Sequence, residues 1–73
     1  MKSYIVHIEG MHCAHCVANV KKALSEVDGV ERVEVDLKKG TAKIEAEEGV
    51  AASEVSDAIE DVGFSFVSME EMA

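Results

Sequence analysis

One pattern occurs twice in these 73 residues, and it restricts the fold more than any composition figure does. A segment with every second residue apolar leads into a helical apolar stripe, and another alternating segment follows. In the first copy, Tyr4, Val6 and Ile8 alternate with Ile5, His7 and Glu9, which is the period-two signature of a strand. From Ala14 to Val27 the period changes. Val17, Val20, Leu24 and Val27 recur at steps of three and four, while Asn19, Lys21, Lys22 and Glu26 fall on other faces, as an amphipathic helix requires. Asp28-Gly29 supplies a terminating glycine. Val30 to Leu37 then reads as a strand with Val33, Val35 and Leu37 inward.

The second copy starts at Thr41 to Ala46, a strand with Ala42, Ile44 and Ala46 inward. The intervening Lys38-Lys39-Gly40 is short enough to make a hairpin with the preceding strand. Ser53 is placed to cap a second helix whose Val55, Ala58, Ile59 and Val62 share a face, and Gly63 stops it. Phe64 to Met69 is the last strand, and Glu70 to Ala73 is expected to fray. The order β-α-β-β-α-β predicts an α+β, ferredoxin-like sandwich, with a four-stranded antiparallel sheet and both helices on one face. No linker or low-complexity segment interrupts residues 1–73, so a single domain is expected.

Charge and hydropathy exclude several functions. Seven Lys/Arg against fifteen Asp/Glu give a net charge of −8, which offers no general attraction to phosphate backbones; no nucleic-acid partner is expected. No apolar run approaches the roughly 18–20 residues that span a bilayer, and the N-terminus lacks a signal-peptide pattern. No membrane insertion is expected, and a cytoplasmic location is. A chain this short cannot wall off a deep substrate pocket, so it is not expected to be an enzyme.

The concentrated chemistry is Gly10-Met11-His12-Cys13-Ala14-His15-Cys16. A disulfide between cysteines three positions apart closes too small a loop to stabilise a fold much. Cys13 falls in the loop and Cys16 in the first helical turn, where unpaired backbone N–H groups and the helix dipole favour thiolate, the metal-binding form. Four readings compete. The cysteines could be small buried hydrophobes, but the segment is too open for a core. A dithiol redox protein of the thioredoxin kind normally sets its active site against a cis-proline, and this chain has no proline. A structural zinc site needs four ligands, and His12, Cys13, His15 and Cys16 would be cramped as a tetrahedral set. An under-coordinated pair of soft thiolates suits Cu(I), and an open coordination sphere suits a carrier, because a partner's thiolate can enter and leave with the ion.

The same stretch resembles the G-M-x-C-x-x-C signature of the heavy-metal-associated domain. That family includes copper chaperones and the N-terminal metal-binding domains of copper-transporting P-type ATPases. Asp28-Gly29-Val30, Val33-Glu34-Val35-Asp36-Leu37 and Asp61-Val62-Gly63-Phe64 resemble the family's later segments, so the likeness runs through most of the chain. The resemblance implies that Cys13 and Cys16 bind Cu(I), that Met11 packs inward to anchor the loop, and that Phe64 lies beside it. It implies a cytosolic copper metallochaperone that passes Cu(I) to or from a copper-transporting P-type ATPase or another copper-accepting protein by thiolate exchange. A metal-bridged homodimer is compatible with two ligands. The alternatives are an ATPase metal-binding domain, a carrier of Hg, Zn or Cd in the same fold, and a dithiol redox protein.

His12 and His15 read first as exposed loop residues. Of the two, His15 is the better third ligand, since it lies between the thiols. His7 belongs to the polar strand face, and Met69 and Met72 form no copper-binding pattern. Residues 45–73 hold nine acids and no base, a solvated face or a docking surface for a basic partner. Lys21 and Lys22 form the basic spot nearest the cysteines in sequence, expected to face an acidic patch on a partner.

Overall fold

Tyr4, Val6 and Ile8 all point to one side of the first strand, β1 (Lys2–Glu9), and are buried there, as their alternation requires. The computed structural model describes residues 2–12, 14–47 and 49–72. The elements that follow are α1 (Ala14–Ser25), β2 (Val30–Asp36), β3 (Thr41–Ala46), α2 (Ala52–Asp61) and β4 (Ser65–Met72). All strand pairings are antiparallel, in the spatial order β2-β3-β1-β4. This is the ferredoxin-like arrangement that the element order predicts.

Both helices cover the same side of the sheet. Val20 and Leu24 of α1, with Val55 and Ile59 of α2, join Val6 and Ile44 as fully buried side chains in one core. No polar or charged side chain among the described residues is buried. The opposite side of the sheet is uncovered, and pairing sets its rows: Glu34, Lys43, Ile5 and Glu70 lie abreast, then Asp36, Thr41, His7 and Ser68. His7 is on this polar face, its Nε2 3.6 Å from a Glu70 carboxylate oxygen.

Four expectations are corrected. The helix expected to run to Val27 ends at Ser25. There the Ser25 hydroxyl donates to the Lys22 carbonyl at 2.8 Å, and Glu26 and Val27 N–H groups bond three residues back, tightening the last turn. Leu37 does not point inward. β2 stops at Asp36, whose Oδ1 accepts the Lys39 N–H at 3.2 Å, so Leu37 falls in the turn and is 37% exposed.

Ser53 is not the cap of α2. Ala51 occupies that position in extended conformation with no side-chain cap bond. Burial of Val50 sets this start instead, with its N–H reaching the Tyr4 hydroxyl at 3.4 Å. Packing therefore outweighs the roughly 1 kcal/mol a serine cap is worth. Lastly, residues 70–72 do not fray but continue β4, pairing with β1 as far as Ser3 opposite Met72. Main-chain pairing needs no apolar side chains, and it sets His7 and Glu70 close to each other on the uncovered face. Ala73 lies outside the described residues.

Candidate metal centre

The described part of the loop between β1 and α1 is braced at Gly10 and at Met11. Gly10 leaves β1 with φ +105°, a conformation glycine tolerates and side-chain-bearing residues rarely adopt. A Cβ at that position would lie 3.2 Å from Cδ1 of Phe64, so the ring rests close against the loop backbone. Met11 is half-buried and packs on the core. Inward packing of Met11 and the nearness of Phe64 both agree with what the family resemblance implies.

Phe64 reaches this place because α2 ends sharply. Gly63, with φ +92°, donates its N–H to the Glu60 carbonyl, and the Phe64 N–H reaches back to the Ile59 carbonyl at 3.2 Å. This is a Schellman-type stop. It turns the chain back toward the loop and starts β4 at Ser65.

Cys16 is the third residue of α1 and is half-buried. It therefore lies in the first turn, where helix N–H groups have no intrahelical acceptor and the dipole is favourable to an anion. Cys13 lies outside the described residues. His12, before α1, and His15, the second residue of α1, are both exposed. Among the described residues, no three His, Cys, Asp or Glu side chains cluster as a metal shell. Lys21 and Lys22 are exposed on α1, and Lys22 borders an open groove between the helices with Glu26 and Asp61.

One neighbour of the loop is not evident from motif spacing. The Ile8 N–H donates to the Gly40 carbonyl at 2.8 Å, which ties the Lys38-Lys39-Gly40 turn to the end of β1 that carries the loop. These lysines stand more than twenty residues from the cysteines in sequence, and only hairpin pairing through β3 brings them to this end. Strand direction is the signal that could have found them: β2 runs parallel to β1, so both strands finish at the same edge.

Comparison with known proteins agrees with this architecture. The heavy-metal-associated domain profile matches residues 5–65. The chain is a heavy-metal-associated domain. Copper chaperone CopZ of Staphylococcus aureus is 41% identical over 68 residues, 92% of this chain and 100% of that protein. Among solved structures, a CopZ metallochaperone superimposes with a TM-score of 0.82 and 39% identity over 89% of this domain and 98% of that chain. A copper-binding domain from HMA7, a P-type ATPase, gives 0.81 and 31% over 100% and 96%.

The half-burial of Met11 leads to a specific expectation for this heavy-metal-associated domain. Met11→Ser should cost about 1–2 kcal/mol, less than a fully buried methionine truncation, and lower the urea midpoint. Sulfur coordination at the bound metal, read by X-ray absorption, should not change. A lower sulfur count in the variant would make Met11 a ligand instead of an anchor.

Proposed function

We propose that this domain carries copper as Cu(I) between Cys13 and Cys16 and exchanges it with a partner through transient sharing of thiolates. The observation that carries the reading is the position of Cys16 in the first turn of α1, three residues after Cys13, at a loop that Met11 and Phe64 brace from the core side. Two thiolates leave room for a third. An incoming partner thiolate bonds to the ion, one of the domain's sulfurs releases, and the second follows as the partner's other sulfur binds. No net oxidation occurs, and each sulfur that leaves is replaced by another.

The copper chaperone relatives are matched over their full length at about 40% identity, which supports a free carrier. The partner would then be a copper-transporting P-type ATPase or another copper-accepting protein. A second reading, a metal-binding domain of such an ATPase, is favoured by the HMA7 likeness. A carrier acting by ligand exchange needs no catalytic residue, and a cytosolic location fits thiols kept reduced. No helix among the described residues is long and apolar enough to cross a membrane. Should a third ligand be recruited, His15 is the better candidate than His12, since it lies between the two cysteines in sequence.

An anaerobic Cu(I) titration of the reduced domain against a chromophoric chelator, repeated with Zn(II), tests the reading. Tight one-to-one Cu(I) binding with weak zinc binding is expected. Preference for zinc, or Cu(I) binding no stronger than that of a simple dithiol, would overturn it.

Docking is expected to use the exposed face of α1. Lys21→Glu/Lys22→Glu should slow copper transfer to an acidic acceptor domain about ten-fold at low salt, since charge complementarity acts chiefly on association. Cu(I) affinity should stay as in the wild type. Stopped-flow transfer rates that match wild type at low salt would remove these lysines from the docking face.

A further inference from the structure

Three of the chain's seven basic residues border one groove on the uncovered face of the sheet. Lys38 and Lys39 stand at the β2–β3 turn and Lys43 on β3, around an open groove of about 800 Å³. Its apolar floor includes Ile5, half-buried in the middle of β1, and Leu37, 37% exposed beside the turn. Ile5 pairs with Lys43 across the β1–β3 ladder, which places an apolar side chain and a cation abreast on that face. The same face carries Glu34 and Asp36, and one oxygen of Asp36 already accepts the Lys39 N–H. Three lysines and two carboxylates line the groove, a small local excess of positive charge in a chain whose net charge is −8, with Glu70 beside Ile5 on the neighbouring strand.

We propose that this groove docks an acidic, partly apolar segment of a partner protein, with carboxylates at Lys38, Lys39 and Lys43 and an apolar side chain over Ile5 and Leu37. A narrow peptide can set its carboxylates on Lys38 and Lys39 at the turn, beyond the row that holds Glu34, Lys43 and Glu70. A broad anionic membrane fits worse, because Glu34, Asp36 and Glu70 share the face and the whole chain is repelled within a Debye length of about 8 Å. The groove is on the side of the sheet opposite the helices, so an occupant leaves α1 exposed. Docking there requires no metal and goes beyond the proposed copper exchange.

The test is an NMR titration of the isotope-labelled full chain with a short synthetic peptide of glutamate, aspartate and leucine. A serine–leucine peptide and a lysine–leucine peptide serve as controls. Amide shifts are expected at Ile5, His7, Lys38, Lys39 and Lys43 with the acidic peptide only, and should shrink as salt is raised. Lys38→Glu/Lys39→Glu should weaken the apparent affinity about ten-fold, as expected for two exposed charge contacts of somewhat under 1 kcal/mol each. Cys16→Ser should bind the peptide as wild type does, which separates this surface from the copper reading. Shifts on the helices, equal binding by the neutral peptide, or undiminished binding by the double variant would each overturn the proposal. So would shifts of these residues with anionic vesicles but not with the acidic peptide.

Discussion

Cys16→Ser is expected to weaken Cu(I) binding by two orders of magnitude or more, and Cys13→Ser/Cys16→Ser to abolish one-to-one binding at the affinities a chelator competition detects. The size follows from the number of ligands. Structural zinc sites with four ligands bind with about 10–16 kcal/mol, roughly 2.5–4 kcal/mol for each, and 1.4 kcal/mol is a factor of ten. In the proposed two-thiolate site each sulfur would carry a larger share, because fewer protein ligands hold the ion. Cys16 is only half-buried and serine is nearly isosteric, so the fold should persist. Circular dichroism and an unfolding midpoint close to wild type would separate lost ligation from lost structure. One-to-one Cu(I) binding retained by the folded double variant would refute the thiolate site. A loss of affinity that tracks unfolding would transfer the role of Cys16 from ligation to packing.

Leu24→Ala should leave the domain largely unfolded at room temperature. Leu24 is fully buried between α1 and the sheet, in one core with Val20, Ile44, Val55 and Ile59. Truncating such a leucine costs about 2–5 kcal/mol through lost burial and the cavity left behind. A single core at this chain length contributes only about 3–5 kcal/mol of net stability. The two magnitudes nearly cancel, so little remains to hold the native state. Leu37→Ala is the matched control. With Leu37 37% exposed in the turn, its cost should stay within about 0.5 kcal/mol. Urea unfolding followed by circular dichroism reads both. Equal shifts for the two leucines would show that the core is not organised around α1 as described.

That contrast marks the limit of reading periodicity. Both leucines lie on apolar stripes, and spacing alone assigns both inward. What distinguishes them is the turn: the Asp36 carboxylate holds the Lys39 N–H, the strand stops, and Leu37 swings out of the pleat. The cap of α2 makes the same point. Ser53 has the chemistry of a cap, but burying Val50 under the Tyr4 hydroxyl starts the helix two residues earlier.

The site divides in a similar way. That Cys16 stands in the first turn of a helix was legible in the change of period after Ala14, together with the strand that ends before Gly10. Met11 and Phe64 could be placed only through family resemblance, because fifty-odd residues separate them and no local pattern links them. The Phe64 ring lies on Gly10 because α2 stops at Gly63 in a left-handed turn and sends the chain back to the same end of the sheet.

Local residue order alone determined the six elements, the amphipathic faces, the punctuating glycines and a cysteine in the first turn of a helix. Each depends on neighbours within one or two turns of chain, and that is the range over which periodicity and backbone conformation act. The exact ends of α1, α2 and β4, the outward turn of Leu37, the ring over the loop and the lysines beside it were decided by tertiary structure. Those features depend on which strand ends meet at one edge of the sheet and on which buried contacts outweigh a local preference of about 1 kcal/mol. Long-range packing sets both.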